Sequence, residues 1–317
     1  MITYGSRDKI FLLSGKNYSY CMYVNRMGIL QHLYWGRKIA VADACFLKAQ
    51  RGVAAEPSEG DRNADMATGG MPQELGSFGR GDFRSATVVV RRKDGAAMSR
   101  FCYVSHKIVK GALHLQGMPC ARKADETLTI TLKDALSDIE LDLNYSVSED
   151  SDILVRNMVV RNAGKEAAEL EKAFSFCTEL PDTCGTRSAL RLAGSWASER
   201  KPIVTPIAEG SLRIESLCGY SSHAMNPFLA VLSEDCAEED GECCGFCLLY
   251  SGSFAVTADV SHNKSIRVQG GVNDYLFGWQ LKGGESFVTP QAALCYSAEG
   301  TGGMSRAYHD FFREYII

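Results

Sequence analysis

Short runs in which apolar and polar residues alternate recur along the chain, and they confine it to one class of fold. In Leu128-Thr129-Ile130-Thr131-Leu132 the three apolar side chains share one face and the two threonines the other. Ile139, Leu141 and Leu143 alternate in the same way with Glu140, Asp142 and Asn144. Similar runs are Ile10 to Leu13, Tyr18 to Val24, Thr87 to Arg91, Arg100 to Ser105 and Ile153 to Arg161. The second half adds Leu212 to Leu217, Phe228 to Leu232, Gly245 to Tyr250, Phe254 to Val260, Ser265 to Gly270, Phe277 to Leu281 and Phe287 to Tyr296. Turn formers such as Ser14-Gly15-Lys16-Asn17, Lys93-Asp94-Gly95 and Asn162-Ala163-Gly164-Lys165 separate them. The pattern predicts an all-β chain: a large antiparallel two-sheet sandwich, each sheet with one wet face. At 317 residues the core is large enough for this. No linker divides the strands, so residues 1–300 read as one sandwich domain.

Three segments interrupt the pattern. Residues 54–70, AAEPSEGDRNADMATGG, read as a long surface loop. Residues 234–244, EDCAEEDGECC, read as a hairpin turn with an acidic tip. Arg306 to Tyr315 reads as a helix capped by Ser305, with Tyr308, Phe311, Phe312 and Tyr315 in one stripe at i, i+3, i+4 and i+7. The chain stops soon after, at Ile316-Ile317. An apolar helix that ends bluntly implies that residues 301–317 lead into a further domain.

Charge narrows the function. The 34 Lys and Arg stand against 38 Asp and Glu, a net −4 with no basic patch, which argues against a nucleic-acid partner. No apolar run reaches the roughly 18 residues of a membrane span, and the start MITYGSRDKI lacks a signal-peptide pattern. A cytoplasmic location and free thiols for the 12 Cys are the resulting expectations. Cys236, Cys243, Cys244 and Cys247 invite a zinc reading, but only Cys244 and Cys247 form a short-spaced pair. Buried thiols are the stronger reading, and no metal is expected. The six His are scattered without an H-E-x-x-H pair, no G-x-S-x-G elbow occurs, and no dinucleotide fingerprint joins a strand to a helix. No cofactor is expected either. Two tryptophan segments stand out, Tyr34-Trp35-Gly36 and Ser195-Trp196-Ala197-Ser198-Glu199-Arg200, both in expected loops. An exposed Trp can stack on the C–H face of a sugar while polar neighbours bond its hydroxyls. Packing on the sandwich core is the competing reading, and on composition alone it carries more weight.

Seven motifs then occur in order: HLYWGRKIAVAD (32–43), MPQELGSFGRGDFR (71–84), FCYVSHKIVKG (101–111), AGSWASER (193–200), IESLCGYSSHAMNPFLAV (214–231), GFCLLYSGSF (245–254) and GGMSRAYHDFFRE (302–314). Together they resemble the amino-terminal domain of the large bacterial α-galactosidases of glycoside hydrolase family thirty-six, over nearly the whole chain. The resemblance implies a β-supersandwich followed by a catalytic (β/α)8 barrel that holds both catalytic aspartates, so no catalytic residue is expected in this chain. It implies a retaining double displacement on raffinose- or melibiose-type α-galactoside oligosaccharides, and homo-oligomeric assembly of the full enzyme. It makes Asp43 a ligand of galactose hydroxyls, places Trp196 near the substrate entrance, and aligns Arg51 with a stretch that meets a neighbouring subunit. The stretch around Arg51 departs from the family pattern, as does Ala44-Cys45-Phe46 after Asp43. Locally, Asp43 follows the apolar Ile39-Ala40-Val41-Ala42 and begins a loop, so its carboxylate is expected to be exposed and to cap no helix. The rival readings are a stand-alone carbohydrate-binding sandwich, and the same domain of an α-N-acetylgalactosaminidase or a raffinose-type galactosyl transferase.

Overall fold

The computed structural model describes residues 1–48, 71–79, 81–181, 187–260 and 264–317. The alternating runs form strands β1 (Ile2–Gly5), β2 (Ile10–Ser14), β3 (Tyr18–Val24) and β4 (Leu30–Arg37), then a single helical turn α1 (Val41–Ala44). Next come β5 (Val88–Arg91), β6 (Phe101–Lys110), β7 (Glu126–Asp134), β8 (Ile139–Val147), β9 (Ile153–Asn162) and β10 (Ala168–Leu180). They are followed by β11 (Ser188–Ser195), β12 (Ser198–Pro206), β13 (Gly210–Glu215), β14 (Met225–Leu232) and β15 (Cys243–Leu248). The chain continues through β16 (Phe254–Val260), β17 (Ile266–Val272), β18 (Trp279–Leu281), β19 (Ser286–Val288) and β20 (Ala292–Ser297) to helix α2 (Gly300–Phe311).

A ten-stranded sheet, β12-β11-β14-β15-β20-β9-β8-β7-β6 with β19 beside β9, makes one layer. The other layer is divided between β1-β2-β3-β4 and a six-stranded sheet, β13-β16-β17-β10-β18 with β5 beside β10. All strand pairings are antiparallel among the described strands. Across the layers β1 touches β7, β4 touches β20, β10 touches β9, and β13 and β16 touch β14. The two-layer sandwich is therefore present, its second layer split in two. One apolar core draws on all three sheets. Phe246 on β15 stacks on Phe176 of β10 at 5.5 Å and meets the Trp35 ring of β4 edge-on at 5.6 Å. Burying one such side chain is worth about 1.5–3 kcal/mol.

The expected wet face is dry at β7 and β8. Thr127, Thr129, Asn144 and Ser146 are buried, yet paired across the strands: Thr127 with Ser146 at 2.7 Å, Thr129 with Asn144 at 2.8 Å. Polar side chains tolerate burial where each finds a partner. The expected strand from Phe287 to Tyr296 is two strands, β19 and β20, with Pro290 between them.

The last helix starts six residues earlier than the Arg306 start read from sequence, and Ser305 lies inside it rather than at its cap. Its first N–H groups are satisfied from a distance. Gly300 N donates to Gly241 O, Thr301 N to Ala237 O and Gly302 N to Glu238 O, at 2.7–3.0 Å. The acidic 234–244 turn thus caps α2 with backbone carbonyls. A Cβ on Gly302 would lie 2.7 Å from the Glu238 carbonyl oxygen, so glycine permits the approach. Tyr308, Phe311 and Tyr315 bury against the outer face of the ten-stranded sheet, and Phe312 packs beside them. The apolar stripe is sheltered within this chain.

Charges lie in the core as well. The Glu74 carboxylate is bonded by Nδ1 of His32 at 2.7 Å, the Tyr145 hydroxyl at 2.8 Å and the Tyr20 hydroxyl, with Arg156 Nη1 at 3.1 Å. Burial alone would raise its pKa; Arg156 and the bonds from His32 and Tyr20 outweigh burial and hold it below the usual carboxylate range. A second network joins Asp82 and Glu179 to Arg84 and Arg267, with Arg267 Nη2 2.6 Å from Asp82 and 2.7 Å from Glu179. Burial works against the Asp82 carboxylate too, and again the two guanidinium groups win and lower its pKa.

Two expectations follow. Arg156→Met strands the Glu74 carboxylate without its cation and should cost about 3–5 kcal/mol, read as a lowered urea midpoint. A shift below 1 kcal/mol would show that Glu74 gains little from Arg156. The depressed pKa values of Glu74 and Asp82 add stability that is fully present above the ordinary carboxylate value and is lost as pH falls through the folded value. The urea midpoint should therefore drop steeply below about pH 4; a midpoint constant down to pH 3 would contradict this.

Candidate functional site

The site is built off the end of β4. This strand pairs with β3, and the register slips between Cys21 and Met22, opposite Tyr34 and His32. His32 thereby turns inward to Glu74 and Trp35 packs into the core. Trp35 is only 8% exposed, so for this tryptophan the core reading holds, and its segment is a strand rather than a loop. Beyond Arg37 the chain crosses the outer face of the four-stranded sheet. Ala44 is fully buried there with Ile10, Leu12 and Cys21, while Ile39, Val41 and Cys45 pack around it.

Those contacts fix α1 and with it Asp43. The Asp43 side chain is exposed, as expected, but its Oδ2 accepts a hydrogen bond from the Ala40 N–H at 3.0 Å. It occupies the third position of α1 and reaches back over the first turn. The expectation that this carboxylate caps no helix is corrected. A four-residue helix leaves too short a record of 3.6-residue periodicity to be read from sequence. The opposite Oδ1 has no hydrogen-bond partner among the described residues, which leaves acceptor capacity facing solvent.

The turn continues as a tighter 3₁₀ segment, Cys45–Leu47, and is pinned at its far end. Lys48 Nζ donates to the Asp8 carbonyl at 2.8 Å and to Asp8 Oδ1 at 3.0 Å. The hydrogen bond from Lys48, with its charge, holds the Asp8 carboxyl below its usual pKa. Between these anchors Phe46 stands 84% exposed.

Phe46, Leu47 and Lys48 form one wall of a cleft of about 730 Å³ among the described residues. Trp35, Arg37 and Tyr296 contribute to the others. On its floor the Tyr296 hydroxyl donates to Glu242 Oε1 at 2.7 Å, and Arg37 Nε lies 3.4 Å from the same oxygen. Burial and the Glu242 carboxylate push the Tyr296 pKa up, so the hydroxyl stays a donor. Sequence reading missed Phe46, Glu242 and Tyr296 as cleft residues. Only the fold brings three such distant segments together.

Trp196 lies elsewhere. It sits in the two-residue turn between β11 and β12, 83% exposed, and the Ala197 N–H is held by Glu199 Oε1 at 2.9 Å. Arg187 borders the cleft just before β11, and Trp196 follows the other end of that strand. At about 3.3 Å per residue they lie roughly 25–30 Å apart, farther than one sugar ring reaches. Asp43 and Trp196 are both exposed, on separate turns, with no contact between them among the described residues. Arg51 lies outside the described residues. The four clustered cysteines divide between sides: Cys244 joins the main core, whereas Cys236, Cys243 and Cys247 pack in the cluster with α2. Burial pushes the Cys244 and Cys247 thiols up to about 12. Among the described residues no group of three or more His, Cys, Asp or Glu side chains could hold a metal, and no helix is long and apolar enough to cross a membrane.

The model of the glycosyl hydrolase family 36 N-terminal domain matches residues 28–282. The chain belongs to glycosyl hydrolase family 36. Family 36 relatives align from end to end of it. α-Galactosidase AgaA of Geobacillus stearothermophilus is 34% identical over 320 residues, covering 98% of this chain and 43% of the relative. α-Galactosidase 1 of Pediococcus pentosaceus is 34% identical over 324 residues, covering 100% of this chain and 44% of the relative. The crystal structure of the family 36 α-galactosidase AgaB from Geobacillus stearothermophilus superposes with a TM-score of 0.94 at 33% identity, over 100% of this chain and 43% of that one. The chain thus spans less than half the length of the relatives it matches, and it corresponds to their amino-terminal part.

Proposed function

We propose that this chain is the non-catalytic sandwich domain of a retaining α-galactosidase that releases terminal α-galactosyl units from raffinose- and melibiose-type sugars. The observation that carries the reading is the match of nearly the whole chain to the amino-terminal part of α-galactosidases, combined with an exposed, fixed Asp43 near a cleft. A variant of the relative AgaA has been solved with raffinose, which suits that substrate class. In this reading residues 301–317 lead into the catalytic barrel, and the complete enzyme is a homo-oligomer. Asp43 accepts a hydrogen bond from a galactose hydroxyl through its outward oxygen. Asp43 adds no acid or nucleophile; both catalytic carboxylates belong to the barrel and stand about 5–5.5 Å apart, as double displacement requires. Trp196 meets sugar near the substrate entrance, and Arg51 belongs to the stretch that meets a neighbouring subunit.

The isolated 317-residue chain should therefore show no turnover of an aryl α-galactoside. Turnover that co-purifies with the chain and disappears on a point change within it would overturn the assignment. In the full-length protein Asp43→Ala should lower kcat/KM on α-galactosides by about ten- to a hundredfold, the equivalent of one charged hydrogen bond. Stability should fall by only about 1 kcal/mol, the worth of a helix-end contact. Unchanged kinetics with a normal melting profile would remove Asp43 from the substrate site.

A further inference from the structure

We propose that Phe46 is a specificity-determining residue: its ring is the platform for the sugar that follows the galactosyl unit held by Asp43. This rests on the reading of Asp43 given above. Single exposed apolar side chains are common on protein surfaces, so exposure alone says little. Placement is what singles Phe46 out. It follows Asp43 by three residues where α1 passes into a 3₁₀ turn, and side chains at that spacing lie on one side. Ala44, between them, points the other way into the buried cluster with Ile10 and Leu12. The turn is held at both ends, by the Asp43 bond to Ala40 and by Lys48 on Asp8, so the ring projects from a fixed support.

The cleft gives the direction. Phe46 borders it and Asp43, one turn earlier, stands outside it, so a ligand that bonds Asp43 and reaches the cleft passes beside the turn that carries Phe46. That path is longer than one pyranose. A space of about 730 Å³ accommodates at least a second ring. Its wall also includes Asn25 and Trp35. The C–H face of a sugar suits the aromatic ring. The ligand class is an oligosaccharide with a second sugar attached to the α-galactosyl unit.

The test uses the full-length protein with two substrates, raffinose and α-galactosyl fluoride, which lacks a second ring. Phe46→Ala should lower kcat/KM on raffinose by about tenfold, mainly through KM, and leave the fluoride unchanged. Phe46→Tyr should restore the raffinose value, because the aromatic face returns. Asp43→Ala should lower both substrates. If Asp43→Ala lowers both while Phe46→Ala affects both equally or neither, the Phe46 platform is wrong and the Asp43 reading stands. If Asp43→Ala affects neither substrate, the reading beneath it fails as well. Since Phe46 is exposed, its truncation should leave the circular dichroism and melting curve unchanged; a loss of fold in Phe46→Ala would show a packing role and overturn the proposal.

Discussion

One buried carboxylate holds the three sheets in register. Glu74 is bonded by Tyr20 and His32 from the four-stranded sheet and by Tyr145 and Arg156 from the ten-stranded sheet. Tyr20 passes the link on to Thr178 of the six-stranded sheet at 3.1 Å, and Arg156 donates to the Cys177 carbonyl beside it. An ion buried this deeply costs several kcal/mol in lost hydration, so such a pair is poor support for stability in itself. Its effect here is specificity. A slip of one residue in β3, β4, β8 or β9 would turn one of these partners away and leave the buried Glu74 charge less well compensated. Next to it, Gln73 reaches the second network, its N–H on Glu179 at 3.0 Å and its side chain on Asp82 at 3.0 Å. A single stretch of backbone therefore ties both ionic networks together.

The same stretch positions the candidate site. The His32 N–H donates to the Pro72 carbonyl, the Glu74 N–H donates to the Leu30 carbonyl, and Gln31 bridges to Gln73. β4 is thus held along its length before the chain turns out toward Asp43. On the outer face, Ala44 and the Lys48–Asp8 contact finish the fixing. A core that specifies register and a turn that is anchored at both ends present one carboxylate and one aromatic ring to solvent at a set spacing. Preorganisation of that kind is what a weak sugar contact needs, because ordering a loose loop on binding would cancel its gain.

Legibility from sequence followed locality. β7 and β8 were plain because their alternation is complete within the strand. β10 was not, because its sequence AELEKAFSFCTEL carries charges, and Glu179 near its end is buried only because Arg84 and Arg267 arrive from elsewhere. β12, SERKPIVTP, is an exposed edge strand with prolines and has no buried face to write a pattern. The start of α2 was hidden for a related reason: Gly302 and Gly303 read as loop, and the groups that cap the helix sit some sixty residues away. Within the site, Asp43 and Trp196 were singled out through motif resemblance, and both side chains are exposed. The capping bond of Asp43 was not, nor was the cleft, which depends on segments that meet only in the folded chain.

The electrostatics that build this core also bear on where the chemistry lies. A glycosidase acid needs a carboxyl whose pKa is raised, and a nucleophile needs a carboxylate open to the sugar. Glu74 and Asp82 are the reverse of the first: guanidinium groups hold them ionised despite burial. Neither they nor Glu179 meets the second requirement, since each is enclosed and already engaged by arginine. Asp43 is open, but it stands on an outer turn with one oxygen held by its own backbone. The carboxylates with strong electrostatic partners are spent on holding sheets together, and the one offered to ligand is suited to bonding a hydroxyl. On the proposed reading, a sandwich arranged in this way frames a sugar, and bond cleavage falls to carboxyl groups outside residues 1–317.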